Sequence, residues 1–129
     1  MTTTRRRLLL VEDDASGRAA LVDLLTLYGY DVHAAEDAAA AEFAFRWCPH
    51  IAIVDLGLSD RDGTEVVSRL VAQDIHVVAF SGWHHLRGDA LAAGADAFVL
   101  KPAVPELMDV LGRLEQRIFG RKGTSASGR

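Results

Sequence analysis

Acidic side chains directly follow two short apolar runs of this sequence. Glu12, Asp13 and Asp14 come after the first run, and Asp55 comes after a later one. Carboxylates held close together raise one another's pKa values, so such a cluster is unfavourable unless a cation binds to it. Magnesium prefers oxygen ligands and is usually held by one or two carboxylates together with phosphate oxygens. If the fold brings these acids together, they predict a site for Mg²⁺, or for Mn²⁺, that acts on a phosphate.

A hydroxyl and an ammonium follow two other apolar runs. Ser81 comes directly after Phe80, and Lys101 comes directly after Leu100. Taken singly, each is an ordinary polar residue at the end of a strand, and only the register with Asp55 argues for more. An ammonium and a hydroxyl can both stabilise the charge that spreads over a phosphoryl group during its transfer. The inferred chemistry is phosphoryl transfer onto a carboxylate.

Short apolar runs alternate with longer helical patterns along the chain. The runs cover residues 8–11, 31–34, 51–54, 77–80 and 97–100. The helical patterns cover residues 17–27, 38–47, 64–72, 85–93 and 105–118. This alternation predicts an α/β fold with a parallel sheet. We expect a doubly wound five-stranded sheet in the flavodoxin-like order 2-1-3-4-5, with helices on both faces. In that order strands 1 and 3 are neighbours, so their carboxyl ends bring the acids together.

Length and composition set further bounds. A chain of 129 residues with 50% apolar content can bury one sizeable core without disulfides. The net charge of −4 and the lack of a basic stripe argue against direct nucleic-acid binding. The single cysteine, Cys48, fits a reducing cytoplasm, and the first apolar run is too short to span a membrane. We expect a domain over residues 7–119 between a flexible N-terminus, 1–6, and a disordered tail, 120–129.

Motifs of one known family occur in order along the chain. They are Leu9-Leu10-Val11-Glu12-Asp13-Asp14, Ile53-Val54-Asp55-Leu56, Asp62-Gly63, Ser81, Ala93-Gly94-Ala95-Asp96-Ala97 and Lys101-Pro102. Over residues 7–119 the chain thus resembles the receiver domain of two-component response regulators, in its stand-alone, chemotaxis-regulator-like form. The resemblance implies a cytoplasmic phosphorylation switch. It would accept a phosphoryl group from a histidine kinase or a histidine phosphotransfer protein and act on a downstream protein target.

The resemblance also implies roles for the acids and the lysine. Asp55 would be the phosphate acceptor, attacking a phosphohistidine in line. Asp13 would bind magnesium directly, Glu12 through water, and Gly57 with its backbone carbonyl, while Asp55 would be a further metal ligand. Lys101 would pair with Asp55 and then with the phosphoryl group. Enzymatic activity would be limited to self-catalysed phosphoryl transfer to Asp55 and hydrolysis from it.

Two residues would form the switch that the resemblance implies. Ser81 would move toward the phosphoryl group, and Phe98, where Tyr is commoner, would relay the shift to the face of helix 4, strand 5 and helix 5. Ser59 stands where Pro is common. Trp83 lies near the mouth of the site, where we favour packing over helix 4 above a role in shielding the acyl phosphate. Gly57 has no side chain to orient a water, which predicts slow autodephosphorylation.

Other functions remain to be weighed. A degenerate receiver would act as a phosphorylation-independent interaction module, but the set Asp13, Asp55, Ser81 and Lys101 is intact. A haloacid-dehalogenase-like phosphatase needs a second Asp where Gly57 stands. A flavodoxin-like electron carrier needs a Ser/Thr-rich phosphate loop after strand 1. A serine hydrolase needs Gly-x-Ser-x-Gly around Ser81.

Several nearby residues have simpler interpretations. Asp14 precedes a helical pattern, which favours a helix N-cap above a metal ligand. Adjacent His84 and His85 point in different directions from a helix start, so we expect them to be exposed. Gly29 and Gly94 are placed to end helices in the left-handed conformation. The apolar stripe of the last helix faces the core, and any exposed part of it could join a homodimer interface.

Overall fold

The computed structural model describes residues 6–120, and within them the sheet has the predicted order. Its strands are parallel and run β2-β1-β3-β4-β5. Their bounds are β1 (Arg7–Val11), β2 (Asp31–Ala35), β3 (Ile51–Val54), β4 (His76–Ser81) and β5 (Ala97–Leu100). The expectations for residues 1–5 and 121–129 lie outside the described residues.

The register of the sheet aligns the ends of the strands that carry the polar residues. Val11 of β1 pairs with Val54 of β3, so Glu12 and Asp55 are the next residues on two neighbouring strands. On the other side of β3, Val54 pairs with Ala79 of β4. Ser81 pairs with Leu100 of β5, the residue before Lys101. The carboxyl edge of β1, β3, β4 and β5 therefore holds all the candidate side chains.

The helices connect the strands with short turns at several of their ends. They are α1 (Ala15–Leu27), α2 (Ala38–Phe43), α3 (Gly63–Ala72), α4 (Arg87–Ala92) and α5 (Val104–Glu115). The second and fourth predicted helices are in part 3-10 turns, Ala44–Trp47 and His84–Leu86, and the last ends in a π-helical turn, Gln116–Gly120. Gly88 weakens the start of α4. The 3-10 turn Ala44–Trp47 ends at Cys48, which has a left-handed φ of 56°. Such 3-10 turns are common at the ends of α-helices.

Helix ends carry the caps that the sequence indicated. Asp14 accepts a hydrogen bond from the backbone N–H of Gly17 at 2.7 Å and is the N-cap of α1. Gly29 and Gly94 have φ values of +98° and +109°, which confirms their predicted conformation. His84 and His85 are exposed, as predicted.

The core consists of two layers, one on each face of the sheet. One layer lies between the sheet and α2, α3 and α4, and the other lies between the sheet and α1 and α5. Alternate residues of each strand contribute to opposite layers, so the strands are apolar on consecutive residues. The stripe on α5 is buried through Leu107, Leu111 and Leu114. Among the described residues, no helix is both long and apolar enough to cross a membrane.

Candidate functional site

Three carboxylates converge where β1 and β3 end. Glu12, Asp13 and Asp55 each offer a carboxylate oxygen, and these oxygens lie within 4.8 Å of one another. The backbone N–H of Asp55 donates to the carbonyl of Val11 at 2.9 Å, which ties the two strand ends together. The side chains of Glu12 and Asp55 are largely buried, at 2% and 9% exposure for the residues. We call Glu12, Asp13 and Asp55 the acid cluster; its spacing and oxygen donors fit a hard divalent cation.

Lys101 reaches the acid cluster from the end of β5. Its Nζ donates to Glu12 Oε1 at 2.7 Å and to Asp55 Oδ2 at 3.1 Å. Its backbone N–H donates to the carbonyl of Ser81 at 2.9 Å, and the Lys101–Pro102 peptide bond is cis. One ammonium compensates only part of the charge of three ionised carboxylates. A divalent cation bound at the acid cluster would balance the remaining negative charge.

Burial and charge act on these groups in different ways. Burial raises the pKa of the Glu12 carboxyl, and the nearby Asp55 adds to the rise although the hydrogen bond from Lys101 opposes it. Burial alone would lower the pKa of the Lys101 ammonium. Its hydrogen bond to Glu12 and the charge of Asp55 outweigh that effect, so the pKa of Lys101 is raised. Lys101 is therefore a permanent cation at neutral pH, held against two carboxylates.

The loop after β3, residues 56–62, carries the position assigned to the metal-binding carbonyl. The N–H of Gly57 donates to Asp55 Oδ1 at 3.0 Å, which orients the carboxylate. At the end of the loop, a Cβ on Gly63 would lie only 2.4 Å from the Cα of Leu56. Glycine is required there because the loop closes on its own backbone.

Asp60 fixes the middle of this loop and was missed by the sequence analysis. Its two carboxylate oxygens accept the N–H groups of Ala38 and Ala39, at 2.9 and 3.2 Å. These donors at the start of α2 hold the pKa of Asp60 below its ordinary range. Beside it, Glu42 of α2 forms ion pairs with Arg61 of the loop and with Arg69. A carboxylate in a loop was visible, but nothing in the sequence indicated which helix it would cap.

On the other side of the acid cluster, Ser81 is fully buried at the end of β4. Its Oγ accepts the backbone N–H of Trp83 at 3.1 Å. Phe98 is 7% exposed and lies in the core layer that includes Ala90 of α4. The structure thus brings Ser81 near the acid cluster through Lys101, and it places Phe98 between the sheet and α4.

Trp83 is 59% exposed, and its ring contacts that of His85, at the start of the predicted fourth helix, edge to face. Its Nε1 lies 3.4 Å from the position that a Cβ on Gly57 would take. Asp55 Oδ1 lies 3.7 Å from the same position. The indole therefore stands at the mouth of the acid cluster.

Arg18 of α1 holds the end of β1 in place. Its Nη1 donates to the backbone carbonyl of Glu12 at 2.9 Å. The N–H of Asp14 donates to Glu12 Oε2 at 3.2 Å. The Glu12 backbone and side chain are thereby both fixed.

Comparison with known proteins agrees with this geometry. Residues 8–111 match the family model of the response regulator receiver domain. The virulence transcriptional regulatory protein PhoP of Salmonella typhimurium is 38% identical over 121 residues, which cover 88% of this chain. The chain spans 54% of the length of that relative.

Two solved structures show the same fold. The response regulator TrrA of Thermotoga maritima, in complex with Mg²⁺ and BeF, has a TM-score of 0.78 and 26% identity. That match covers 84% of this chain and 98% of the other. A CheY-like receiver domain from Methanospirillum hungatei has a TM-score of 0.79 at 24% identity, covering 93% and 98% of the two chains.

Proposed function

The chain belongs to the family of response regulator receiver domains, and on that premise we propose that Asp55 is its phosphate acceptor. One observation carries the proposal: Asp55 shares Lys101 with Glu12, and a carboxylate oxygen of each acid cluster residue lies within 4.8 Å of the others. This places a nucleophilic carboxylate beside a fixed ammonium and a candidate cation site. The domain would comprise residues 7–119.

Phosphoryl transfer follows from the chemistry of these groups. A carboxylate oxygen of Asp55 forms a bond to phosphorus while the P–N bond of a phosphohistidine breaks, and the imidazole leaves. Lys101, 3.1 Å from Asp55 Oδ2, would then pair with a phosphoryl oxygen. The Ser81 hydroxyl would lose the hydrogen bond that it accepts from the Trp83 N–H and would donate to another phosphoryl oxygen. Each of these groups stabilises charge that increases on the phosphoryl oxygens.

The acid cluster and the Gly57 carbonyl are the proposed magnesium ligands. Asp13 and Asp55 would bind the ion directly, Glu12 through water, and Gly57 by its backbone oxygen. A bound Mg²⁺ supplies the positive charge that phosphoryl oxygens need near carboxylates. The three close carboxylate oxygens support this assignment.

Signalling would use the face formed by α4, β5 and α5. Ser81 is the last residue of β4, where the loop that leads to α4 begins, and Phe98 packs in the core layer under α4. A shift of Ser81 toward the phosphoryl group would free the Trp83 N–H and alter this loop. The exposed Leu91 and Leu100, at 40% and 43% exposure, give the same face an apolar surface for a protein target.

The proposed phosphodonor is a histidine kinase or a histidine phosphotransfer protein, and the proposed compartment is the cytoplasm. The family supports a phosphohistidine donor. The one cysteine of the chain supports a reducing compartment. The Salmonella relative is named as a transcriptional regulator, and this chain spans 54% of its length, so any output of a longer protein is part of this proposal.

Intact mass spectrometry tests the acceptor. The protein is incubated with Mg²⁺ and acetyl phosphate, in which a P–O bond breaks and acetate leaves. We expect a gain of about 80 Da, one phosphoryl group, in the unsubstituted chain. Asp55→Asn should show no gain, because the amide cannot form the acyl phosphate. Asp23→Asn, which alters an exposed acid on α1, should gain the same mass as the unsubstituted chain.

The same experiment distinguishes a phosphorylation switch from a degenerate receiver that acts without phosphorylation. A mass gain that needs magnesium and is lost only in Asp55→Asn would support the switch. No gain from acetyl phosphate or from phosphorylated kinases, with magnesium binding shown by titration, would favour an interaction module that acts without phosphorylation.

A further inference from the structure

Glu42, on the last turn of α2, is a charged residue that the proposed chemistry leaves unused. One of its carboxylate oxygens, Oε2, accepts a hydrogen bond from Nη1 of Arg61 and lies 2.7 Å from Nη1 of Arg69. Arg61 belongs to the loop of residues 56–62, and Arg69 belongs to α3. A single carboxylate oxygen therefore joins α2 to that loop and to the helix that follows it.

The same loop carries the backbone carbonyl of Gly57, which we assign to magnesium. Gly57 and Ser59 are exposed and Leu58 is half-buried, so this part of the loop has little packing of its own. Toward β3 the loop is fixed by the N–H that Gly57 donates to Asp55 Oδ1 at 3.0 Å. Toward α3 its residues 60 and 61 contact α2. The position of the carbonyl therefore depends on both attachments.

Helix α2 holds the loop at two consecutive residues. Asp60 accepts the N–H groups of Ala38 and Ala39 at the start of the helix, and Arg61 binds Glu42 near its end. Two attachments at opposite ends of one helix restrict rotation of the loop, whereas Asp60 alone would let the loop pivot about one point. Only 27% of the Glu42 side chain is exposed, and its charge is shared by two guanidinium groups. Such a network contributes more than an isolated surface pair.

We propose that Glu42 is a positioning residue of the metal site, which holds the Gly57 carbonyl through Arg61 and thereby favours Mg²⁺ over the larger Ca²⁺. The proposal rests on the magnesium ligands proposed above. Mg²⁺ requires near-ideal octahedral geometry with oxygens at about 2.1 Å, whereas Ca²⁺ accepts a more flexible set of oxygens at about 2.3–2.6 Å. A loop that cannot move outward suits the smaller ion, and a released loop can adapt to the larger one.

A comparison of Mg²⁺ and Ca²⁺ binding tests this role. Each ion is titrated into the isotope-labelled protein, and the amide NMR shift of Gly57 gives the dissociation constant at the acid cluster. We expect Glu42→Ala and Arg61→Ala each to lower the ratio of Mg²⁺ affinity to Ca²⁺ affinity by about fivefold, the upper end for a partly exposed ion pair. Because the two side chains act through one contact, the double variant should show the same fall as either single variant.

Arg69→Ala is the matched control, because it removes the other ion pair of Glu42 and leaves the loop attached. The ratio of the two affinities should stay at the unsubstituted value in this variant. Urea unfolding separates positioning from stability. Arg61→Ala and Arg69→Ala each remove one ion pair of Glu42, so they should lose comparable free energy of unfolding while only Arg61→Ala changes the ratio.

The outcomes distinguish this proposal from the one on which it rests. An unchanged ratio in Glu42→Ala would overturn the role of Glu42, and so would an equal fall in Arg69→Ala. Asp13→Asn tests the site itself and should remove the magnesium-dependent shift of Gly57. If that shift persists in Asp13→Asn, or does not occur in the unsubstituted chain, the assigned magnesium ligands are wrong and the role of Glu42 is rejected with them.

Discussion

Two loops flank the acceptor, and they differ in how firmly they are held. The loop of residues 56–62, between β3 and α3, is fixed at three places. Asp60 caps α2, Arg61 pairs with Glu42, and Gly63 packs directly against the backbone of Leu56. It carries the carbonyl that we assign to magnesium.

The loop between β4 and α4 has few such contacts. Gly82 has open space on its Cβ side, with no neighbouring heavy atom within 4 Å. Trp83, His84 and His85 are exposed, and α4 has six residues and no side-chain cap at its N-terminus. Segments with few buried contacts open at low cost in free energy.

Because one loop is held by more contacts than the other, the two loops suit different functions. A metal ligand must be held in place before the ion binds, so a clamped loop suits the magnesium side. A signal needs an element with two arrangements, so a loosely held loop suits the side that carries Ser81. A firmly held loop and a loosely held loop thus lie on opposite sides of one carboxylate.

The largest expected effect comes from adding the same methyl group at the end of the first loop and within the second. Gly63→Ala puts a Cβ 2.4 Å from Leu56 Cα and 2.6 Å from Leu56 O, so backbone must shift. We expect a loss of about 3 kcal/mol in the free energy of unfolding, measured with urea. Gly82→Ala, the matched substitution in open space, should stay within about 0.5 kcal/mol. Equal losses in the two variants would contradict the difference between the loops.

An intermediate effect is expected from weakening the hydrogen bonds that Asp60 accepts from the start of α2. Asp60→Asn removes the charge at the start of α2, so the loop that carries Gly57 is less well held. We expect magnesium affinity to fall by about tenfold at most, the low end of what residues that position metal ligands contribute. Isothermal titration with Mg²⁺ measures it. Asp37→Asn weakens the cap of the same helix, where Asp37 accepts the Ala40 N–H at 2.8 Å, without touching the loop. A matching loss there would assign the effect to α2 instead.

The smallest expected effect is the weakening of these Asp60 hydrogen bonds at low pH. The N–H groups of Ala38 and Ala39 hold the pKa of Asp60 below its ordinary value of 3.8. Because the folded-state pKa is lowered, the stabilisation is present above pH 3.8 and is lost as the pH falls through the folded-state pKa. The amide NMR shifts of Ala38 and Ala39 should therefore stay constant from pH 7 to about pH 4 and change only below it. A titration midpoint of these amide shifts above pH 3.8 would show that Asp60 does not accept these hydrogen bonds in solution.

Much of this molecule could be predicted from the sequence because the signals are local. Apolar runs separated by helical patterns predict the strands of a parallel sheet, and polar residues directly after the runs come to one edge of that sheet. Asp14 as an N-cap and Gly29 as a left-handed helix end follow from neighbouring residues alone. The convergence of Glu12 and Asp55 needs only the order of the strands.

Contacts between loops were decided only by the tertiary structure. Asp60 caps a helix that begins 22 residues earlier in the chain, and Trp83 stands against Gly57. The ammonium of Lys101 binds Glu12 at 2.7 Å and Asp55 at 3.1 Å. Periodicity specifies which face a residue takes within its own element. It does not specify which loop an exposed side chain meets, because that depends on how the elements pack and on which polar groups are left to pair.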